Sequence, residues 1–116
     1  MYNILVIDDE EAIRSTFTMA LTKFGFNVSS ASNGLEGIEK FDESKFDLVI
    51  TDISMPVLDG IGVVRHIRKS EKQNTPVIGV SGIPDLLKDG DFDATFQKPT
   101  SLKTLIDTVK NITTPN

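Results

Sequence analysis

Five short runs of β-branched and aliphatic residues, separated by stretches of helical periodicity, constrain this chain more than any other feature. Residues 3 to 7 read as a buried strand, a continuous apolar run cut off by Asp8-Asp9. Residues 10 to 24 place Ile13, Phe17, Ala20, Leu21 and Phe24 on one helical face, and Gly25 follows as a helix end requires. Phe26 and Val28 then alternate with polar residues as far as Ala31, which suits an outer strand. Asn33 and Glu36 have the offset of a helix cap and its return partner, with Leu35, Ile38 and Phe41 as the apolar stripe. Residues 46 to 51 form the third strand, and Asp59-Gly60 marks a turn. Ile61, Val64, Ile67 and Arg68 follow on a helix with a narrow apolar side. Pro76 opens a fourth strand, Val77 to Val80. Residues 82 to 93 are the least regular part, with room for a short helix from Pro84 to just before Gly90. Ala94 to Gln97 is the fifth strand. Leu102, Leu105, Ile106, Val109 and Ile112 share one face of the last helix, and residues 113 to 116 read as a frayed end or the start of a linker.

Such alternation predicts an α/β fold, a parallel sheet covered by helices on both faces. Right-handed crossovers cover both faces when the winding reverses direction once, and ligands bind in the crevice at that reversal. With 116 residues, one domain spanning 1–116 is expected. The absence of cysteine excludes disulfides and thiolate metal sites. A net charge of -5 argues against direct nucleic-acid binding and fits a cation site or a basic patch on a partner. The N-terminus lacks a signal-peptide pattern, and no apolar stretch approaches membrane-spanning length. A cytoplasmic protein without membrane contact is the expectation.

Chemistry is expected where the strands end. Asp8-Asp9 closes the first run, Asp52 the third and Ser81 the fourth, while Lys98 stands just past the fifth. Taken singly, each has a plain structural reading. Acidic residues favour a helix N-terminus, Asp52 before Met-Pro and Ser81-Gly82 suit turns, and Lys98-Pro99 suits a loop. Together they are the residue types that one phosphoryl site needs. If the first and third strands are neighbours, Asp8, Asp9 and Asp52 crowd together and need a compensating cation. Hard carboxylate oxygens without His or Cys suit Mg²⁺. Lys98 adds an ammonium and Ser81 a hydroxyl, and a carboxylate is a competent nucleophile. His66 has no ligand partner at metal-site spacing and reads as a solvated helix residue. Phe17, Phe24 and Phe41 read as core, and the charged residues between 65 and 73 as a wet helix face.

The stretches Ile4-Leu5-Val6-Ile7-Asp8-Asp9-Glu10, Asp47 through Gly60, Pro76 through Gly82, and Lys98-Pro99 resemble the response-regulator receiver domain of two-component signalling, in that order and over nearly the whole chain. The resemblance implies a flavodoxin-like, doubly wound five-stranded sheet of order 2-1-3-4-5. It also implies that Asp52 accepts a phosphoryl group from a sensor histidine kinase or histidine phosphotransfer protein. Asp9 and Asp52 then ligate Mg²⁺, Asp8 acts through water, and the backbone carbonyl of Ser54 is the third protein ligand. Lys98 contacts the phosphoryl oxygens, Ser81 hydrogen-bonds them, and Lys98-Pro99 is cis. The domain catalyses only its own phosphorylation and dephosphorylation, and so regulates a downstream partner that the sequence does not name. Two departures fall in the output region. Thr95 stands where the family often has an aromatic residue, and the segment between Ser81 and Lys98 is short. Phosphorylation is therefore expected to shift residues 82 to 93. Thr100 replaces a common Phe and receives no role. The alternatives are a haloacid-dehalogenase-like aspartyl phosphatase, which needs an acid where Ser54 stands, and a degenerate receiver that only binds partners. A flavodoxin would need a phosphate loop after the first strand.

Overall fold

The structure is a computed structural model and describes residues 2–114. Strand β1 (Asn3–Ile7) is followed by α1 (Glu11–Lys23), β2 (Asn27–Ala31), α2 (Gly34–Glu43), β3 (Leu48–Asp52) and α3 (Gly60–Arg68). Then come β4 (Val77–Ser81), a short 3-10 helix (Pro84–Asp89), β5 (Ala94–Gln97) and α4 (Leu102–Thr113). All pairings are parallel, in the order β2-β1-β3-β4-β5. The chain runs from β1 outward to β2 and returns across β1 to β3, which is the single reversal that sequence and resemblance anticipate.

Because successive side chains on a strand point to opposite faces, β1 feeds two cores. Ile4 and Val6 pack with Phe17 and Leu21 of α1 and with Leu105, Ile106 and Val109 of α4. Leu5 and Ile7 pack with Phe41 of α2 and Val63, Val64 and Ile67 of α3. The three central strands are buried nearly throughout, whereas β2 and β5 at the edges alternate half-buried and exposed residues. This is the reason that the central strands read as unbroken apolar runs in the sequence.

Local signals place the helix ends. Gly25 takes a φ of 92°, the left-handed geometry that ends α1. The Asn33 side chain accepts the Glu36 N–H at 2.8 Å, and the Glu36 carboxylate reaches back to the Ser32 N–H at 2.5 Å. The return partner is thus one residue earlier than a standard capping box predicts. Asp59 caps α3 rather than merely marking a turn, its carboxylate accepting the Gly62 N–H at 2.9 Å.

Several sequence expectations need correction. Phe24 is 50% exposed, with the Lys110 ammonium 4.2 Å above its ring, so it lies on the surface and not in the core. Leu35 is also exposed, and Gly34 and Gly37 take the buried positions of α2 beside Phe41. The third strand begins at Leu48 and includes Asp52. His66 does have an acidic partner, because Asp42 of α2 lies 2.8 Å from its Nε2. The charged residues between 65 and 73 are not simply wet. Lys72 lies 4.5 Å over the Phe41 ring and donates to the carbonyls of Phe41 and, at 2.9 Å, Ser44. Arg68 binds the carbonyls of Gln73, Thr75 and Asp91 and the Asp93 carboxylate at 2.7 to 3.0 Å.

Candidate functional site

Strand register brings the acidic residues together. Ile7 lies opposite Thr51 and Asp52 opposite Val80, so Asp8 emerges beside Asp52 at the carboxyl rim. Ser81 lies opposite Gln97, and the Lys98 N–H donates to the Ser81 carbonyl at 2.9 Å. The Lys98-Pro99 peptide is cis, as expected.

The Lys98 ammonium sits among three carboxylates. It is 3.3 Å from Asp8 Oδ2, 3.3 Å from Asp52 Oδ2 and 3.4 Å from Glu10 Oε1. Asp8 and Asp52 are buried, at 2% and 4% exposure, while Asp9 and Glu10 face solvent. Asp8 is further fixed by the Glu10 N–H, which donates to its Oδ1 at 2.9 Å, and by Arg14, which donates to its carbonyl at 2.7 Å. Thr51 Oγ1 donates to the Asp52 carbonyl at 2.9 Å.

Burial disfavours the charged form of a carboxylate, and a neighbouring carboxylate adds to that. Burial and then the Asp8 charge push the Asp52 carboxyl up to about 6, even with the Lys98 ammonium working against them. Asp8 is likewise raised by burial, partly offset by the Glu10 N–H and Lys98. For Lys98, burial opposes the charge but Asp8 and Asp52 outweigh it, so its ammonium is held more firmly than usual. The rim thus carries excess negative charge that one ammonium does not neutralise.

One carboxylate oxygen from each of Asp8, Asp9 and Glu10 lies within 4.8 Å of the other two, a grouping able to hold a metal ion. Asp52 adjoins this trio through Asp8 and Lys98. The sequence reading assigned Glu10 no role. Its position directly after the acidic pair is a signal, but its turn toward Lys98 depends on where β5 ends. Ser54 follows Asp52 by two residues, in the loop after β3, with its side chain exposed. Ser81 is fully buried, and its hydroxyl is engaged with its own loop: Oγ accepts the Ile83 N–H at 3.0 Å and lies 3.2 Å from the Ile83 carbonyl.

A buried carboxylate at the reversal point of a doubly wound sheet, flanked by an ammonium and an acidic trio, defines a class of anion-handling α/β domain. Residues 4–110 match the family model described as Response regulator receiver domain, and the chain belongs to that family. It is 45% identical over 75 residues to the transcriptional regulatory protein ResD of Bacillus subtilis, covering 65% of this chain and 30% of ResD. It is 32% identical over 107 residues to the autoinducer 1 sensor kinase/phosphatase LuxN of Vibrio harveyi, covering 88% of this chain and 12% of LuxN. The chain therefore spans only a minor part of these curated relatives. The response regulator TrrA of Thermotoga maritima, solved in complex with Mg²⁺ and BeF, superposes with a TM-score of 0.89 at 33% identity, covering 97% of this chain and 99% of that one. The protein is a receiver domain, a phospho-acceptor module of two-component signalling. Among the described residues, no helix is long and apolar enough to cross a membrane.

Proposed function

We propose that Asp52 is the phospho-acceptor and that the phosphoryl group comes from a phosphohistidine of a sensor kinase or histidine phosphotransfer protein in the cytoplasm. In the transfer, an Asp52 carboxylate oxygen forms a bond to phosphorus as the P–N bond to the imidazole breaks. The electron pair leaves on the ring nitrogen, which takes a proton. The observation that carries this reading is the placement of the buried Asp52 carboxylate at the end of central strand β3, 3.3 Å from Lys98 and facing Asp8 across the rim where such sheets bind ligands.

The donor set fits Mg²⁺, being all oxygen with two solvent-facing carboxylates that leave room for water. Asp9 and Asp52, with the Ser54 carbonyl, would hold it directly, Asp8 through water, and Glu10 extends the same grouping. When bound, it would neutralise the excess negative charge and stabilise charge on the phosphoryl oxygens. Asp8 holds Lys98 beside the acceptor, so the ammonium can pass from Asp52 Oδ2 to a phosphoryl oxygen without leaving its pocket. Ser81 must release Ile83 before it can donate to the phosphoryl group, which links occupancy to the start of the segment 82–93. The exposed Ser54, where a phosphatase of the alternative class needs a carboxylic acid, supports a stoichiometric acceptor over a turnover enzyme.

Acetyl phosphate with Mg²⁺, read by intact mass, tests the assignment. A single phosphoryl addition is expected, abolished in Asp52→Asn and by chelation of the metal. Phosphorylation that persists undiminished in Asp52→Asn would remove Asp52 from the acceptor role.

A further inference from the structure

Val57 has a φ of 74°, alone among the described residues other than glycine in having a positive φ. The Leu58 N–H donates to the Pro56 carbonyl at 2.9 Å, which closes a three-residue turn centred on Val57. A γ-turn with a central φ near +75° is the rare and strained form, and a β-branched residue is among the least suited to it. The side chain gains nothing by packing, because Val57 is 77% exposed. A strained residue persists only where its surroundings over-determine it, and here they are identifiable. The Ile53 N–H donates to the Val80 carbonyl at 3.0 Å and the Gly60 N–H to the Ile53 carbonyl at 2.9 Å, so Asp52's own exit closes the loop into a ring. Asp59 fixes the other side by capping α3.

The ring also touches α2. The Leu58 carbonyl approaches Gly34, the first residue of that helix, so closely that a Cβ there would lie 2.2 Å from the oxygen. Leu58 itself packs into the core shared by α2 and α3. Movement of the turn therefore displaces the start of α2, where Leu35 is exposed.

We propose that Val57 is a positioning residue. Its strained turn holds residues 54 to 58 poised after the acceptor, and relaxes when the site takes a phosphoryl-like anion, passing the change through Leu58 and Gly34 to the first turn of α2. This rests on the acceptor reading of Asp52 and adds an output route on the α2 side, separate from residues 82 to 93.

The test is amide NMR of the 116-residue chain titrated with Mg²⁺ and beryllium fluoride, comparing the native sequence with Val57→Gly and Val57→Asn. Glycine accepts a positive φ freely and asparagine tolerates it, so both variants keep the turn while removing its bias. In the native chain, resonances of Leu58, Gly34 and Leu35 should shift together with those of Asp52 and Lys98. Val57→Gly should weaken probe binding about fivefold, the lower end of what a strained residue can store, with Val57→Asn in between. Equal affinities in the three proteins overturn the proposal. So do shifts confined to Asp52 and Lys98, with Gly34 and Leu35 unmoved. No response at Asp52 or Lys98 in any of them overturns the acceptor reading, and this inference with it.

Discussion

Two loops leave the carboxyl rim side by side, after β3 and after β4, and they are built on opposite plans. The first, residues 53 to 59, is short and closed on itself. Its ends are hydrogen-bonded, its apex is a strained turn, and its Leu58 is wedged against Gly34. The second, residues 82 to 93, holds only a 3-10 helix, and none of its described side chains is fully buried. It is anchored at its far end. There the Phe92 ring lies on Gly79, at the 3.0 Å a Cβ would meet, and Arg68 grips Asp91 and Asp93. Near the site it is held by little more than the turn that Ser81 makes with Ile83. Local stability follows from burial and satisfied backbone, so one rim loop stores strain in a rigid frame while its neighbour is free to move at the end that faces Asp52.

The largest expected effect comes from making the tight loop loose. In Gly34→Ala the new Cβ meets backbone rather than a side-chain tip, so helix and loop must separate. Overpacking of this severity costs about 3 kcal/mol or more. The urea midpoint should fall accordingly, and amide exchange at Leu58 and Gly60 should rise to the level of residues 83 to 90. Ile83→Ala, at an exposed position of the other loop, is the control and should leave the midpoint nearly unchanged. Equal effects of the two substitutions would show that the loops do not differ in the way described.

The next effect attacks the anchor of the second loop. Arg68 is largely covered and serves three carbonyls and two carboxylates from one guanidinium. Asp93 in turn accepts the Val77 N–H at 2.7 Å, while its own N–H donates to the Val77 carbonyl at 2.8 Å. Several of these partners are exposed and contribute little each, but the half-buried Thr75 carbonyl loses a charged donor. Arg68→Ala should cost about 2 kcal/mol and free the far end, raising exchange at Asp91 to Asp93 and at Val77. Exchange at Leu58 should stay as it was. A rise there of the same size would mean that the two loops unfold as one unit.

The difference between these loops also marks how far the sequence could be read. The strands and four long helices were legible because their signals are periodic and local: the apolar runs of β1, β3 and β4, and the spacing of Leu105, Ile106 and Val109. The rim grouping was legible because Asp52 and Ser81 end strands while Asp8 and Lys98 follow directly on them, so topology alone brings the four to one rim. The parts that were missed depend on contacts between elements. Phe24 fits its helical face by spacing, yet it lies at the end of α1, where Lys110 rather than core covers it. The spacing of His66 and Asp42 shows no partnership, because α2 and α3 become neighbours only when they pack on the same face of the sheet. The pairing of Glu10 with Lys98 forms only where β5 delivers the ammonium. Val57 carries no warning in its residue type, since composition argues against the conformation it adopts.

The smallest effect concerns charge, because the two loops start from buried residues of different kinds, Asp52 and Ser81. Asp52 has its carboxyl raised to about 6 in the folded state, against 3.8 without the fold. Between those values the native state binds the proton more tightly than the unfolded chain does, so stability falls as pH rises through that window. Above about pH 6 the full cost of the buried charge is present, on the order of 1–2 kcal/mol after allowing for relaxation around a rim site. The raised Asp8 acts in the same direction, in native and variant alike. Lys98 is raised above 10.5 and keeps its charge throughout, so its contribution is constant below that range. Asp52→Asn should therefore be more stable than the native chain at pH 7, with the difference shrinking toward zero by pH 4. Ser81→Ala removes hydrogen bonds but no charge, and its difference from the native chain should not change with pH. Urea midpoints of the three proteins at pH 4, 5, 6 and 7 decide the matter. A native chain more stable than Asp52→Asn at pH 7 would mean that Lys98 over-compensates the burial, and that Asp52 is held charged by its cation rather than against its surroundings.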